Sequence, residues 1–155
     1  MEVPTKIPMN ARFMYWGTTK SNLTLSVPYP SSGAFESART VTTQESSNGE
    51  IVAQLVGRTR DKQNMKWNVM DCEKWWEINN WLENNIKSGG IFSFYCKYFN
   101  FNLGKWQIHQ CYVGNPSCTP FAINSNEADE DFGMPRFLRD CTLNVIDCGI
   151  VEDEQ

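Results

Sequence analysis

Hydrophobic residues recur along this chain at two spacings, and each spacing predicts a different element. Within residues 71–90 (DCEKWWEINNWLENNIKSGG), Cys72, Trp75, Ile78, Leu82 and Ile86 step by three and four. That period places them on one face of a helix. Glu73, Lys74, Glu77, Asn80, Glu83 and Asn84 fall on the other face, and Trp76 flanks the stripe. Trp81 is the exception, an aromatic on the polar side. Asp71 is placed to cap the N-terminus and Glu73 adds charge where the dipole is positive, while Lys87, Gly89 and Gly90 supply a stop.

Elsewhere the period is two, the spacing of half-buried strands. Short strands are predicted at 12–16 and around Leu23, Leu25 and Val27, the latter closed by Pro28. Residues 50–57 and 63–70 read as a hairpin, with Met65, Trp67 and Val69 on one face and Lys66 and Asn68 on the other. Its turn, RTRDK, gathers Arg58, Arg60, Asp61 and Lys62 at one tip. After the helix, Phe92, Phe94, Cys96 and Tyr98 alternate through 91–98, and 106–113 returns as the partner strand. Residues 137–148 close the fold, with Cys141, Leu143 and Val145 alternating against Thr142, Asn144 and Ile146.

Three stretches lack a period. Residues 1–11 hold two prolines and read as an extended arm, and 152–155 as an acidic tail. Residues 29–49 (YPSSGAFESARTVTTQESSNG) form a loop or long hairpin that orders against something outside its own domain. A second long loop covers 114–135, with prolines and the acidic run 127–131. Strands, one helix and more strands predict a single mainly β (α+β) domain over 1–155. The architecture expected is an antiparallel β-sandwich or small barrel with one flanking α-helix.

Composition narrows the function. The chain has 155 residues, a net charge of -4 and 41% hydrophobic content. That is enough apolar chain for a real core and the wrong sign for a phosphate-binding face. No apolar run approaches the roughly 20 residues of a membrane span, and the N-terminal stretch lacks a signal-peptide core, so a cytoplasmic protein with free thiols is expected. There is one histidine, His109, and no C-x-x-C, P-loop, G-x-G-x-x-G or G-x-S-x-G. An enzyme is therefore not expected, nor a cofactor or metal site. The run NSNEADEDFG resembles a calcium loop only loosely, because Ala128 stands where a ligand is needed. Six tryptophans raise a sugar-stacking platform as an alternative, with Trp16, Trp81 and Trp106 as surface candidates.

The order of features from residue 48 onward resembles a family of small tail proteins of bacteriophages and prophages of Gram-positive bacteria. The matching pieces are NGE (48–50), GRTRDK (57–62), MKWNVM (65–70), the helix, FSFYCKY (92–98), CYVGNPS (111–117) and LNVID (143–147). The cysteine content and the acidic insertion at 127–131 depart from the family pattern. The resemblance implies a tail-tube or distal-tail structural protein, a β-sandwich or barrel in a homo-oligomeric ring (a hexamer) around the tail channel. Its partners would be other phage tail proteins, with DNA only passing through the channel and no membrane. Its location would be the virion, after assembly in the host cytoplasm. The alternatives are a carbohydrate-binding β-sandwich at the tail tip and a head–tail completion or terminator protein.

On that reading the candidate site is a subunit interface. Tyr29, Phe35, Arg39 and Val41 lie in the 29–49 stretch, Arg58, Arg60 and Lys62 at the basic tip, and Trp81 is an exposed anchor on the helix. The basic tip is expected to meet an acidic neighbour surface such as 127–131.

Overall fold

The computed structural model describes residues 12–85 and 93–150. The expected arm at 1–11, the helix stop at Lys87, Gly89 and Gly90, and the acidic tail lie outside the described residues. Eight strands and one helix are present among those described. They are β1 (Arg12–Gly17), β2 (Leu25–Pro28), β3 (Phe35–Glu45), β4 (Ile51–Asp71), α1 (Cys72–Asn84), β5 (Phe94–Asn100), β6 (Lys105–Val113), β7 (Ser117–Ile123) and β8 (Pro135–Asp147).

The helix forms as its sequence dictates. Asp71 caps it, its side chain accepting from the Glu73 amide at 2.8 Å, and Cys72, Trp75, Ile78 and Leu82 are buried. Asn85 follows as the C-cap, its amide donating to the Leu82 carbonyl at 3.2 Å. The buried face of α1 packs on the sheet, where Trp75 meets Trp67 edge-on at 6.1 Å.

All strand pairs are antiparallel, in the order β2-β1-β5-β6-β8-β4-β3, with β7 beside the first half of β8. The sheet curls, because strands far apart in that order touch. Phe35 of β3 lies 6.1 Å from Tyr98 of β5, and the Trp67 indole of β4 donates to the Pro28 carbonyl of β2 at 3.3 Å. One core fills the curl, with Met14, Trp16, Val27, Met65, Cys96, Cys111, Cys141 and Leu143 almost wholly enclosed. The result is the expected mainly β protein with one flanking helix. The close approach of the β2–β3 connection to β4 requires glycine at 33, since a Cβ there would stand 1.9 Å from the Asn64 carbonyl oxygen.

Three expectations change. Residues 50–57 and 63–70 are not the two arms of a hairpin; they are one continuous strand, β4, paired first with β3 and then with β8. Residues 29–49, expected as a loop or long hairpin, hold β3, the first arm of a long hairpin with β4, and the loop expected at 114–135 contains β7. Val69 is exposed and Met70 buried, because β4 and β8 both reverse phase at Asn68 and Asp140, where Asp140 has φ 51°.

Candidate functional site: an exposed ribbon and its polar anchor

Strands β3 and β4 leave the sheet together as a two-stranded ribbon. The register runs from Phe35 opposite Gln63 to Glu45 opposite Ile51. The tip is closed by the Ser46 and Gly49 amides, which bond to the Glu50 and Ser46 carbonyls at 2.7 and 3.0 Å, with Gly49 at φ 80°. Every residue of 38–57 is exposed, so the ribbon stands clear of the core. A bulge marks where it leaves the sheet, with one residue between Ala38 and Thr40 facing Gly57–Thr59 and Gly57 at φ 71°.

The ribbon carries apolar side chains without a partner. Cross-strand neighbours share a face, so Val41, Leu55, Ala53 and Ile51 lie together on one side, and Val52 and Val56 on the other. Ile51 is 72% exposed. No charged residue occurs in 40–44 or 51–57. Among the described residues β3 pairs only with β4, so its outer edge is open. Natural sheet edges are normally protected by charge, proline or cover. Here the charges of β3 sit at Glu36, Arg39 and Glu45, and the stretch 40–44 between them has neither charge nor proline.

At the base of the ribbon, buried polar groups fasten it to the rest of the fold. Arg58 holds Asp147, the last residue of β8, through two hydrogen bonds of 2.6 and 2.5 Å. The other bonds of the guanidinium go to the Thr59 carbonyl at 2.9 Å and the Ile150 carbonyl at 3.0 Å. The hydrogen bond to Asp147 pushes the Arg58 pKa up, against the desolvation of partial burial. Beside them, Asp61 accepts from Ser37 at 2.8 Å, from the Tyr98 hydroxyl, and from Asn100 at 3.3 Å. Burial first, and then this bond to Asp61, push the Tyr98 phenol far above its ordinary range.

Asp61, His109 and Asp147 have ligand atoms within 4.8 Å of one another, the spacing of a possible cation site. The carboxylate oxygens are already taken. Both oxygens of Asp61 accept side-chain donors, and those of Asp147 accept Arg58, the Gly149 amide at 2.8 Å and the Asp61 amide at 3.4 Å. A cation would have to displace these donors and sit near the Arg58 charge. The arrangement is that of a hydrogen-bonded anchor.

A groove opens at the same base. Phe13, Tyr29, Phe35 and Phe101 wall a hollow of about 430 Å³, with Ser32, Gln63 and Asn102 as its polar side chains. Their rings pack on one another, with Phe13 4.9 Å from Tyr29 and 5.9 Å from Phe101, and Phe35 5.8 Å from Phe101.

The structure thus brings Tyr29 and Phe35 together in the groove and puts Arg39 and Val41 on the ribbon. It does not assemble a basic tip. Arg58, Arg60 and Lys62 lie mid-strand in β4, and Arg58 is committed to Asp147 instead of an outside acidic surface. Trp81 is likewise no exposed anchor. It is partly buried, 5.9 Å from Trp16 and 5.6 Å from Phe94, whereas Trp76 is the more exposed helix tryptophan. The helix lies so that the core reaches past its stripe to the Trp81 side.

The polar anchor was not anticipated, although a signal for it exists. Asp61 falls in phase with Gln63, Met65 and Trp67, and Asp147 in phase with Cys141, Leu143 and Val145. A carboxylate on the inward side of a strand must find a partner, and the partner was the arginine read as a turn residue.

No protein-family model matches the chain, and no curated protein matches it. Among the described residues no helix is long and apolar enough to cross a membrane.

Proposed function

We propose that this protein is a structural subunit of a bacteriophage tail that assembles into a ring around the tail channel, at a tube, distal-tail or baseplate-hub position. The observation that carries the proposal is the ribbon at 38–57, which is exposed on both faces, uncharged along most of its length and open at its edge. Ordering such a segment costs about 1–2 kcal/mol per residue in backbone entropy. Its own core offers nothing in return, whereas a neighbouring subunit offers apolar cover and backbone pairing. Gripping a neighbour with a surface unlike the one gripped is the head-to-tail arrangement that closes into rings. The buried anchor at Arg58 and Asp147 fits this role, because a lever that grips another subunit needs a rigid root.

The test is negative-stain microscopy and sedimentation of the purified protein across a range of concentrations. Annular particles are expected. A companion variant replaces residues 41–55 by Asn-Gly, joining the cross-strand neighbours Thr40 and Val56 by a tight turn. It should fold and remain monomeric. Rings formed by the shortened variant, or a full-length chain that stays monomeric at every concentration, would overturn the proposal.

A further inference from the structure

The ribbon needs an acceptor, and we propose that it is the aromatic groove at the ribbon base of a second copy. The inference rests on the ring-subunit reading and goes further by naming the two surfaces that meet.

Reach excludes the same molecule. From Phe35 to Glu45 an antiparallel strand spans at most roughly 34 Å at about 3.4 Å per residue, and pairing with β4 on both sides of the bulge holds it extended. The groove is walled by Phe35 itself, so it lies at the opposite end of the ribbon from the tip. A tip cannot return to its own base without breaking that ladder. It can reach the base of another copy.

The two surfaces match in chemistry. No charged residue lines the groove, and none occurs in 40–44 or 51–57 of the ribbon. The middle of the ribbon, around Val41 and Leu55, can therefore seat there without burying an ion, while Glu45 and Glu50 at the tip stay in water. The rings of Phe13, Phe35 and Phe101 close on one another and form the apolar side of the groove. Aliphatic side chains such as Ile51 and Leu55 suit it better than a sugar, which needs a free flat ring face and a dense set of hydrogen-bonding partners. The side-chain amides of the wall are already engaged, Gln63 with the Asn64 carbonyl at 2.8 Å and Asn102 with Ser37 at 3.0 Å, so they need no outside partner.

Because donor and acceptor lie at opposite ends of one element, each docked copy leaves its own groove filled and its own ribbon placed in the next. The interface is heterologous, and its repetition closes a ring or extends a filament.

Two single variants of the full chain test this, Leu55→Asp on the ribbon and Phe101→Asp in the groove. Leu55 stands clear of the core and Phe101 is half exposed, so circular dichroism should show both folded. Each should raise the concentration at which assemblies appear by about tenfold or more, the effect of roughly 1.4 kcal/mol per docked contact. A third variant carries Leu55→Cys and Phe101→Cys on a Cys118→Ser background. Oxidation with copper phenanthroline should give a ladder of covalent oligomers that neither single cysteine gives. Wild-type rings together with unchanged assembly of Phe101→Asp would overturn the groove while leaving the ring reading standing. A wild-type chain that never assembles would overturn both. Binding of a chitin oligosaccharide in the groove by a monomeric wild-type chain would assign it to glycan and also overturn the inference.

Discussion

Removing the Asp147 carboxylate should be among the most damaging single changes in the molecule. Its side chain is 1% exposed and accepts four hydrogen bonds, two from Arg58 and one each from the Gly149 and Asp61 amides. In Asp147→Ala the guanidinium loses its counter-charge while still 23% exposed, so water can relieve part of the penalty. Breaking a buried pair costs about 3–5 kcal/mol, and the partial exposure of Arg58 argues for the lower end. Two stranded amides add to this, at about 1 kcal/mol or more each where water cannot reach them. The expected loss is therefore about 5 kcal/mol. Asp140→Asn is the matched control, since asparagine tolerates the φ of 51° there, the contact with Lys66 is 3.7 Å long and both side chains are about half exposed. That pair should contribute less than about 1 kcal/mol. Urea unfolding followed by tryptophan fluorescence measures both, and a double-mutant cycle with Arg58→Met isolates the coupling. A loss below about 1 kcal/mol for Asp147→Ala, or coupling indistinguishable from zero, would refute the reasoning.

The remaining expectations are more compact. Trp75→Ala should cost about 3–5 kcal/mol, and Trp81→Ala should also lower monomer stability, by about 2 kcal/mol, because its ring packs on Trp16 and Phe94; denaturant melts would show either estimate wrong. Under native conditions Cys118 should be alkylated fast while Cys72, Cys96, Cys111 and Cys141 react slowly, as mass spectrometry can read. Burial pushes the Cys141 thiol up to about 11, and a hydrogen bond with Cys96, together with burial, pushes Cys111 up as well. Stability should fall above about pH 10, because the Tyr98 phenol has a folded pKa above its unfolded one. Its contribution is complete below the unfolded value and is lost as pH rises beyond it, at up to about 1.4 kcal/mol per pH unit. Tyr98→Phe should flatten that slope, and an unchanged slope would point elsewhere.

The helix and the inward faces of most strands could be read from the chain because both obey a single local rule. Asp71, the stripe from Cys72 to Leu82, and the alternation at Phe94, Cys96 and Tyr98 each need only their neighbours in sequence to be recognised. The ribbon does not obey such a rule. With neither face buried by its own domain, most of β3 shows no alternation, and the serines and glycines that flank it at 31–33 and 46–49 resemble a loop; only the run of Thr40, Val41, Thr42 and Thr43 hints at a strand. Gly57 and the charges after it read as a turn because a bulge and a hairpin use the same residue types. The anchor was hidden for a different reason. Its partners are far apart in sequence, Asp147 lying 89 positions from Arg58, and pairing at that range is decided by topology. The groove has the same origin, since Phe13, Phe35 and Phe101 meet only when the sheet curls.

The place of β8 in the sheet bears on how the protein is made. It is the last strand among the described residues and the one that β4, β6 and β7 all pair with. During synthesis the sheet therefore cannot be completed until residue 147 has emerged, and its distant pairings make closure slow. The ribbon is local and can form soon after residue 71 appears. For that interval an uncharged, open-edged hairpin waits on the ribosome without its root, since Asp147 has not yet been translated. An open apolar edge exposed for that interval is a site where unfinished chains can associate. Expression yield should accordingly depend on how fast residues 72–147 are delivered, and charge added at Leu55 should raise soluble yield.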